Sequence, residues 1–133
     1  MTLLDTHVLL WLDTGSDRLG SGSRGVIDHA LRAGELAVSA ISFWEVAMLV
    51  SKGRVRMEMA PDAWRGALLE AGLTELPVDG RTGIRAAQLD DFHGDTADRL
   101  NVATAQAHAA LLCTADRRIL DWRGDVRRQC ANL

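Results

Sequence analysis

Four acids in this chain fall where carboxylates can do chemistry. Asp5 follows the apolar run TLL, and Glu45 stands in SAISFWEV, about one helical turn beyond the run LAVS. Asp98 opens the alanine-rich stretch DTADRLNVATA, and Asp116 follows the run LLCT in LLCTADRR. Taken singly, each acid also reads as a helix cap. Ser42-Phe43-Trp44-Glu45 and Asp95-Thr96-Ala97-Asp98 have capping-box spacing, and Asp5 and Asp116 can serve as plain N-caps. Capping does not explain why the acids fall at the same end of successive apolar runs. Nor does it explain Asp5 beside an apolar strand, where an unpaired carboxylate is costly. Four carboxylates on one rim repel, so they rise in pKa or recruit a counter-cation. No lysine or arginine lies within two residues of Asp5 or Glu45. A hard divalent cation, magnesium or manganese, is the economical counter-charge, because it takes oxygen ligands and keeps its own waters. No Cys-x-x-Cys or His-x-x-x-His competes with that reading. Carboxylate-held cations activate a bound water and steady the attacking and leaving oxygens of a phosphodiester.

The acids converge only if the intervening elements make a parallel sheet. The pattern predicts strands at Thr2–Leu4, Leu36–Ser39, Leu73–Val78 and Leu111–Thr114, with a fifth at the edge over Val126–Cys130. Between them it predicts helices over His7–Leu12, Ser23–Ala33, Ser42–Lys52, Asp62–Ala71, Arg81–Leu89, Ala97–Ala110 and Asp116–Trp122. Ser23 is the expected cap of the second helix, Gly34 and Gly53 the expected stops, and Pro61 suits a first helical turn. Strands alternating with helices imply an α/β fold with a parallel sheet covered on both faces. Ligands of such sheets bind beyond the carboxyl ends of the strands, which is where the four acids lie.

The segments LLDTHVLLWL, SAISFWEVAML, DTADRLNVATAQAH and LLCTADRRIL occur in the order and approximate spacing of the PIN-domain ribonucleases. Across essentially the whole chain, residues 1–133, they most resemble the VapC-type toxins of bacterial toxin–antitoxin modules. The resemblance implies a single PIN domain with a central five-stranded parallel sheet. It puts the metal-binding and catalytic acids at Asp5, Glu45, Asp98 and Asp116, holding one or two magnesium or manganese ions. It further implies a metal-dependent endoribonuclease that cleaves structured cellular RNA such as transfer or ribosomal RNA. A homodimer and neutralisation by a small cognate antitoxin of the VapB or Phd type belong to the same expectation. One residue departs from the pattern: Asn101 stands where relatives usually carry an apolar residue.

Residues around the acids take supporting roles. Thr6 and Thr114 can orient carboxylates or waters, and Asp95 is expected as a helix N-cap with a possible share in the site. Arg99, Arg117 and Arg118 flank the acids and are candidates to meet RNA phosphates, with a salt bridge at a helix start as the alternative. His7 and His93 are expected to be structural or peripheral. Trp11, Trp44 and Trp64 are expected in the core or a dimer contact, and Cys113 as a buried thiol.

The 133 residues fit about one domain of ~150 residues. No apolar run approaches the ~18 residues of a membrane span, and the N-terminus lacks a basic region ahead of its apolar run. Two cysteines are too few for a disulfide framework, so the expected setting is the reducing cytoplasm. Setting the four acids aside moves the formal charge from -3 to +1, and all basic residues except Lys52 are arginines. The acidic total therefore argues little against a nucleic-acid substrate. A receiver-like phosphoacceptor would need a lysine after the last strand, and Lys52 is not there. A non-catalytic PIN-like binding module would be expected to have lost an acid.

Overall fold

Neighbouring residues of a strand point to opposite faces of a sheet, and a sheet covered on both faces needs apolar residues at both. Leu3 and Leu4 meet that requirement in adjacent positions. In the computed structural model, which describes all 133 residues, five strands form one parallel sheet. They are β1 (Thr2–Leu4), β2 (Leu36–Ser39), β3 (Thr74–Leu76), β4 (Leu111–Thr114) and β5 (Arg127–Cys130), in the order β3-β2-β1-β4-β5. Leu3, Ala37 and Leu112 align across the central strands and share a buried cluster with Leu76, Val102, Ala105 and Ile119. Leu4, Val38 and Cys113 align one step on and pack with Val8, Leu9, Ile27, Val46 and Trp64 on the other face.

The helices are α1 (Thr6–Thr14), α2 (Ser21–Arg32), α3 (Ala40–Ser51), α4 (Pro61–Glu70), α5 (Gly80–Ala87), α6 (Thr96–Ala107) and α7 (Arg117–Leu120). This is the expected single α/β domain. Helix α6 is buried nearly all round, from Leu100 to Ala105, and its small residues let it lie close to the sheet. No helix is long and apolar enough to cross a membrane.

Most element boundaries shift by a residue or more from expectation, and three of the shifts have a plain local reason. β3 stops at Leu76 because Pro77 has no N–H to continue a ladder. α6 stops at Ala107, and Ala109 adopts φ 50°, which turns the chain into β4. α2 starts at Ser21 with Gly20, not Ser23, at its N-cap. The Ser23 hydroxyl instead donates to the Cys130 carbonyl. The chain after β5 supplies what a capping side chain would have supplied. Gly20 N–H donates to Ala131 O and Gly22 N–H to Leu133 O, both at 2.9 Å. The approach is so close that a Cβ on Gly20 would lie 2.3 Å from the Leu133 carbonyl carbon.

Candidate active site

β1 lies at the point where the strand order reverses, with β2 on one side and β4 on the other. Such a point leaves a crevice beyond the strand ends. Asp5 follows β1 directly into it and is 3% exposed. Its Oδ1 accepts from the Thr6 N–H (2.7 Å), which caps α1, and from Asn101 Nδ2 (3.3 Å). Its Oδ2 accepts from the Thr114 hydroxyl (2.7 Å) at the end of β4. Burial pushes the Asp5 carboxyl above the usual range, although the bonds from Thr114 and Thr6 and the charge of His7 favour its anion.

Thr6 joins Asp5 to Glu45. Its hydroxyl donates to Glu45 Oε1 and lies 2.8 Å from the Ser42 hydroxyl. The anticipated Ser42–Glu45 capping box is therefore absent. α3 starts earlier, with Ser39 as N-cap accepting from the Ile41 N–H, so Ser42 and Glu45 lie inside the helix and face the site. Burial raises the Glu45 pKa. The Thr6 bond opposes this, and the charges of Asp5, Asp98 and Asp95 add to it.

α6 brings the third acid. Asp95 is its N-cap and accepts from the Asp98 N–H at 3.0 Å, as expected of a cap. The Asp98 carboxylate does not complete a capping box. Its Oδ2 lies 2.7 Å from His93 Nε2 and accepts from Arg118 Nη2 at 3.4 Å. Burial pushes Asp98 up to about 6, against the His93 bond and with help from Asp5, Asp95 and Asp116. Asp116 caps α7 by accepting from the Arg118 N–H, and the Arg118 guanidinium reaches its Oδ2 at 3.0 Å. Burial raises the Asp116 pKa, but the Arg118 bonds and charge outweigh it and hold it below the usual range.

Ligand atoms of His93, Asp98 and Asp116 all lie within 4.8 Å of one another, which suits one cation. Asp5 and Glu45 join this group through hydrogen bonds and charge repulsion. Neither has an arginine or lysine in salt-bridge range, and the single basic side chain on the rim, Arg118, reaches only Asp98 and Asp116. Four carboxylates, buried or half-buried and sharing one arginine between two of them, make with the His93 imidazole a donor set that fits a hard divalent cation. One further acceptor is unspent: Asn101 is fully buried and its Oδ1 has no partner.

The remaining candidates are held in different ways. The Arg99 guanidinium is engaged within the fold. It donates to the carbonyls of His93 (2.9 Å), Ala86 (3.1 Å) and Phe92 (2.6 Å), lashing the α5–α6 loop to α6. Arg117 pairs with Asp121 at the surface. Arg118 stands on the acids and remains 60% exposed, so it can also meet a phosphate. His93, expected to be structural or peripheral, touches Asp98, so it belongs to the site rather than its periphery. Trp64 is in the core, donating to Asp13, and Trp44 is 57% exposed, which leaves the dimer contact as the one of its two expected places that fits. Cys113 is a buried thiol, its pKa pushed up to about 11 by burial.

The raised acids have a consequence for stability. A carboxyl whose pKa is higher folded than unfolded favours the fold below the unfolded value, 3.8 for Asp98, and loses that contribution as pH rises through about 6. Melting of metal-free protein should therefore show a decline between pH 4 and 6.5 that is shallower in Asp98→Asn, where only Asp5 and Glu45 still contribute to it. Equal pH slopes in the two proteins would contradict the assigned environment of Asp98.

The chain and its fold both have known relatives. The PIN domain profile matches residues 2–124. Ribonuclease VapC22 of Mycobacterium tuberculosis is 36% identical over 121 residues, 91% of each chain. Among solved structures, VapBC2 from Rickettsia felis bound to a promoter DNA fragment superposes with a TM-score of 0.70 at 14% identity over 96% of both chains. FitAcB from Neisseria gonorrhoeae gives 0.64 at 20% identity, also over 96% of both. With the acids at the strand ends and the match running from β1 past α7, the chain belongs to the PIN domain family.

Proposed function

We propose that this PIN domain is a metal-dependent endoribonuclease toxin of the VapC kind. Its substrate is structured cellular RNA of the transfer or ribosomal class, and a cognate antitoxin neutralises it. One observation carries the reading. Asp5, Glu45, Asp98 and Asp116 meet at the carboxyl rim of the sheet, and two of them have no basic partner. The relationship to a chain named as a ribonuclease supports the choice of RNA. An antitoxin partner is supported by structural neighbours that are toxin–antitoxin complexes, among them one from Klebsiella pneumoniae.

A divalent cation bound here would supply an activated water and neutralise charge at the scissile phosphate. The protein's part is placement. Asp5, Glu45, Asp98 and Asp116 would hold the cation, Thr6 and Thr114 fix the carboxylate planes, and Asp95 starts the helix that carries Asp98. His93 holds Asp98 by its Nε2, and Arg118, released from the acids, meets a phosphate oxygen.

Purified protein should cleave structured RNA with manganese or magnesium and stop in EDTA. By mass action, manganese at a hundred times its dissociation constant should stabilise the fold by about 2.7 kcal/mol. Cleavage that survives EDTA, or a melting temperature unmoved by millimolar manganese, would contradict the proposal.

A further inference from the structure

Asn101 carries a polar amide among the buried residues of α6, and the fold buries it completely. Its Nδ2 reaches Asp5 Oδ1 at 3.3 Å, and its Oδ1 is buried without a partner. A side chain that spends one long hydrogen bond and strands an acceptor is a poor stabiliser of the fold, since an unsatisfied buried polar atom costs about 1–3 kcal/mol.

The geometry at Asp5 shows what Asn101 does instead. A carboxylate offers about four lone-pair positions, two on each oxygen. Oδ1 receives two donors, the Thr6 N–H and the Asn101 amide. Oδ2 receives one, the Thr114 hydroxyl. We propose that Asn101 is a positioning residue that occupies Asp5 Oδ1, so that Asp5 offers a cation Oδ2 alone and the site favours magnesium or manganese over calcium. Calcium accepts two-oxygen carboxylate coordination, whereas magnesium demands near-octahedral geometry and keeps its waters. The stranded Asn101 Oδ1 fits the same picture, as an acceptor for a donor the protein does not supply, such as a water carried by the cation. This inference rests on the cation reading of the site.

The test compares wild type with Asn101→Leu and Asn101→Met by calorimetric titration of manganese, magnesium and calcium, with melting of the metal-free proteins alongside. Metal-free melting temperatures should equal or exceed wild type. Manganese and magnesium should bind about tenfold more weakly, in the range lost when partners of metal ligands are removed. Calcium should lose less, so the magnesium-to-calcium affinity ratio falls. An unchanged ratio in a folded variant overturns the inference, and so does failure of both variants to fold. If wild type itself binds no manganese, the cation reading fails instead, and the two failures are told apart.

Discussion

Asp98→Asn is expected to abolish RNA cleavage while leaving the metal-free protein as stable as wild type or more so. The loss should reach at least a hundredfold, because charge stabilisation by a correctly held cation is worth several kcal/mol and each 1.36 kcal/mol is about tenfold in rate. The stability expectation has its own origin. At pH 7 Asp98 is mostly ionised although burial pushes its pKa up to about 6, so the folded protein bears the cost of a partly buried charge. An amide carries no charge and can still accept from His93 and Arg118. Asp5→Asn should abolish cleavage equally but destabilise: Thr6 and Asn101 both donate to Oδ1, so the new amide nitrogen must take the Oδ2 place and turn the Thr114 hydroxyl from donor to acceptor, although that hydroxyl already accepts from the Asp116 N–H. Cleavage assays, thermal melts and manganese titrations on both variants decide the matter. Metal-dependent cleavage retained by purified Asp98→Asn would refute the assignment.

Arg99→Ala is expected to be the most damaging single change near the site that touches no acid. Three carbonyls lose their donor, and those of Ala86 and Phe92 belong to residues less than a tenth exposed. Hydrogen bonds from charged groups are worth about 1.5–3 kcal/mol each, so a loss of about 3 kcal/mol or more is expected after partial rehydration. The loop it holds carries His93, so Asp98 should lose its partner as well. Denaturant melts should show the destabilisation, and manganese should bind more weakly. If Arg99 acted on RNA directly, the fold would keep its stability and only substrate affinity would fall.

The contrast between Arg99 and the acids shows what was legible in the residues. Apolar runs marked β1, β2 and β4 because central parallel strands are buried on both faces, and the acids followed from where those runs end. Side-chain direction was not legible. Ser42 and Glu45 have capping-box spacing, yet Ser39 caps α3 three residues earlier, which turns both inward toward Thr6. Arg99 lies beside Asp98 in the chain, yet the α5–α6 loop passes within its reach and takes its donors. The first turn of α2 defeated a local reading for the same reason, since its partners come from residues 131 and 133.

The order of the strands also sets a schedule for synthesis. β1 leaves the ribosome first, but Asp5 must wait for Asn101 and Thr114, 96 and 109 positions later. At roughly 5–20 residues per second that wait lasts on the order of 5–20 s. A nascent chain or a truncated fragment that stops before β4 carries Asp5 and Glu45 but neither the strand nor the capping acid that completes the rim. Cutting ability therefore arrives only after β4 and Asp116 have been made.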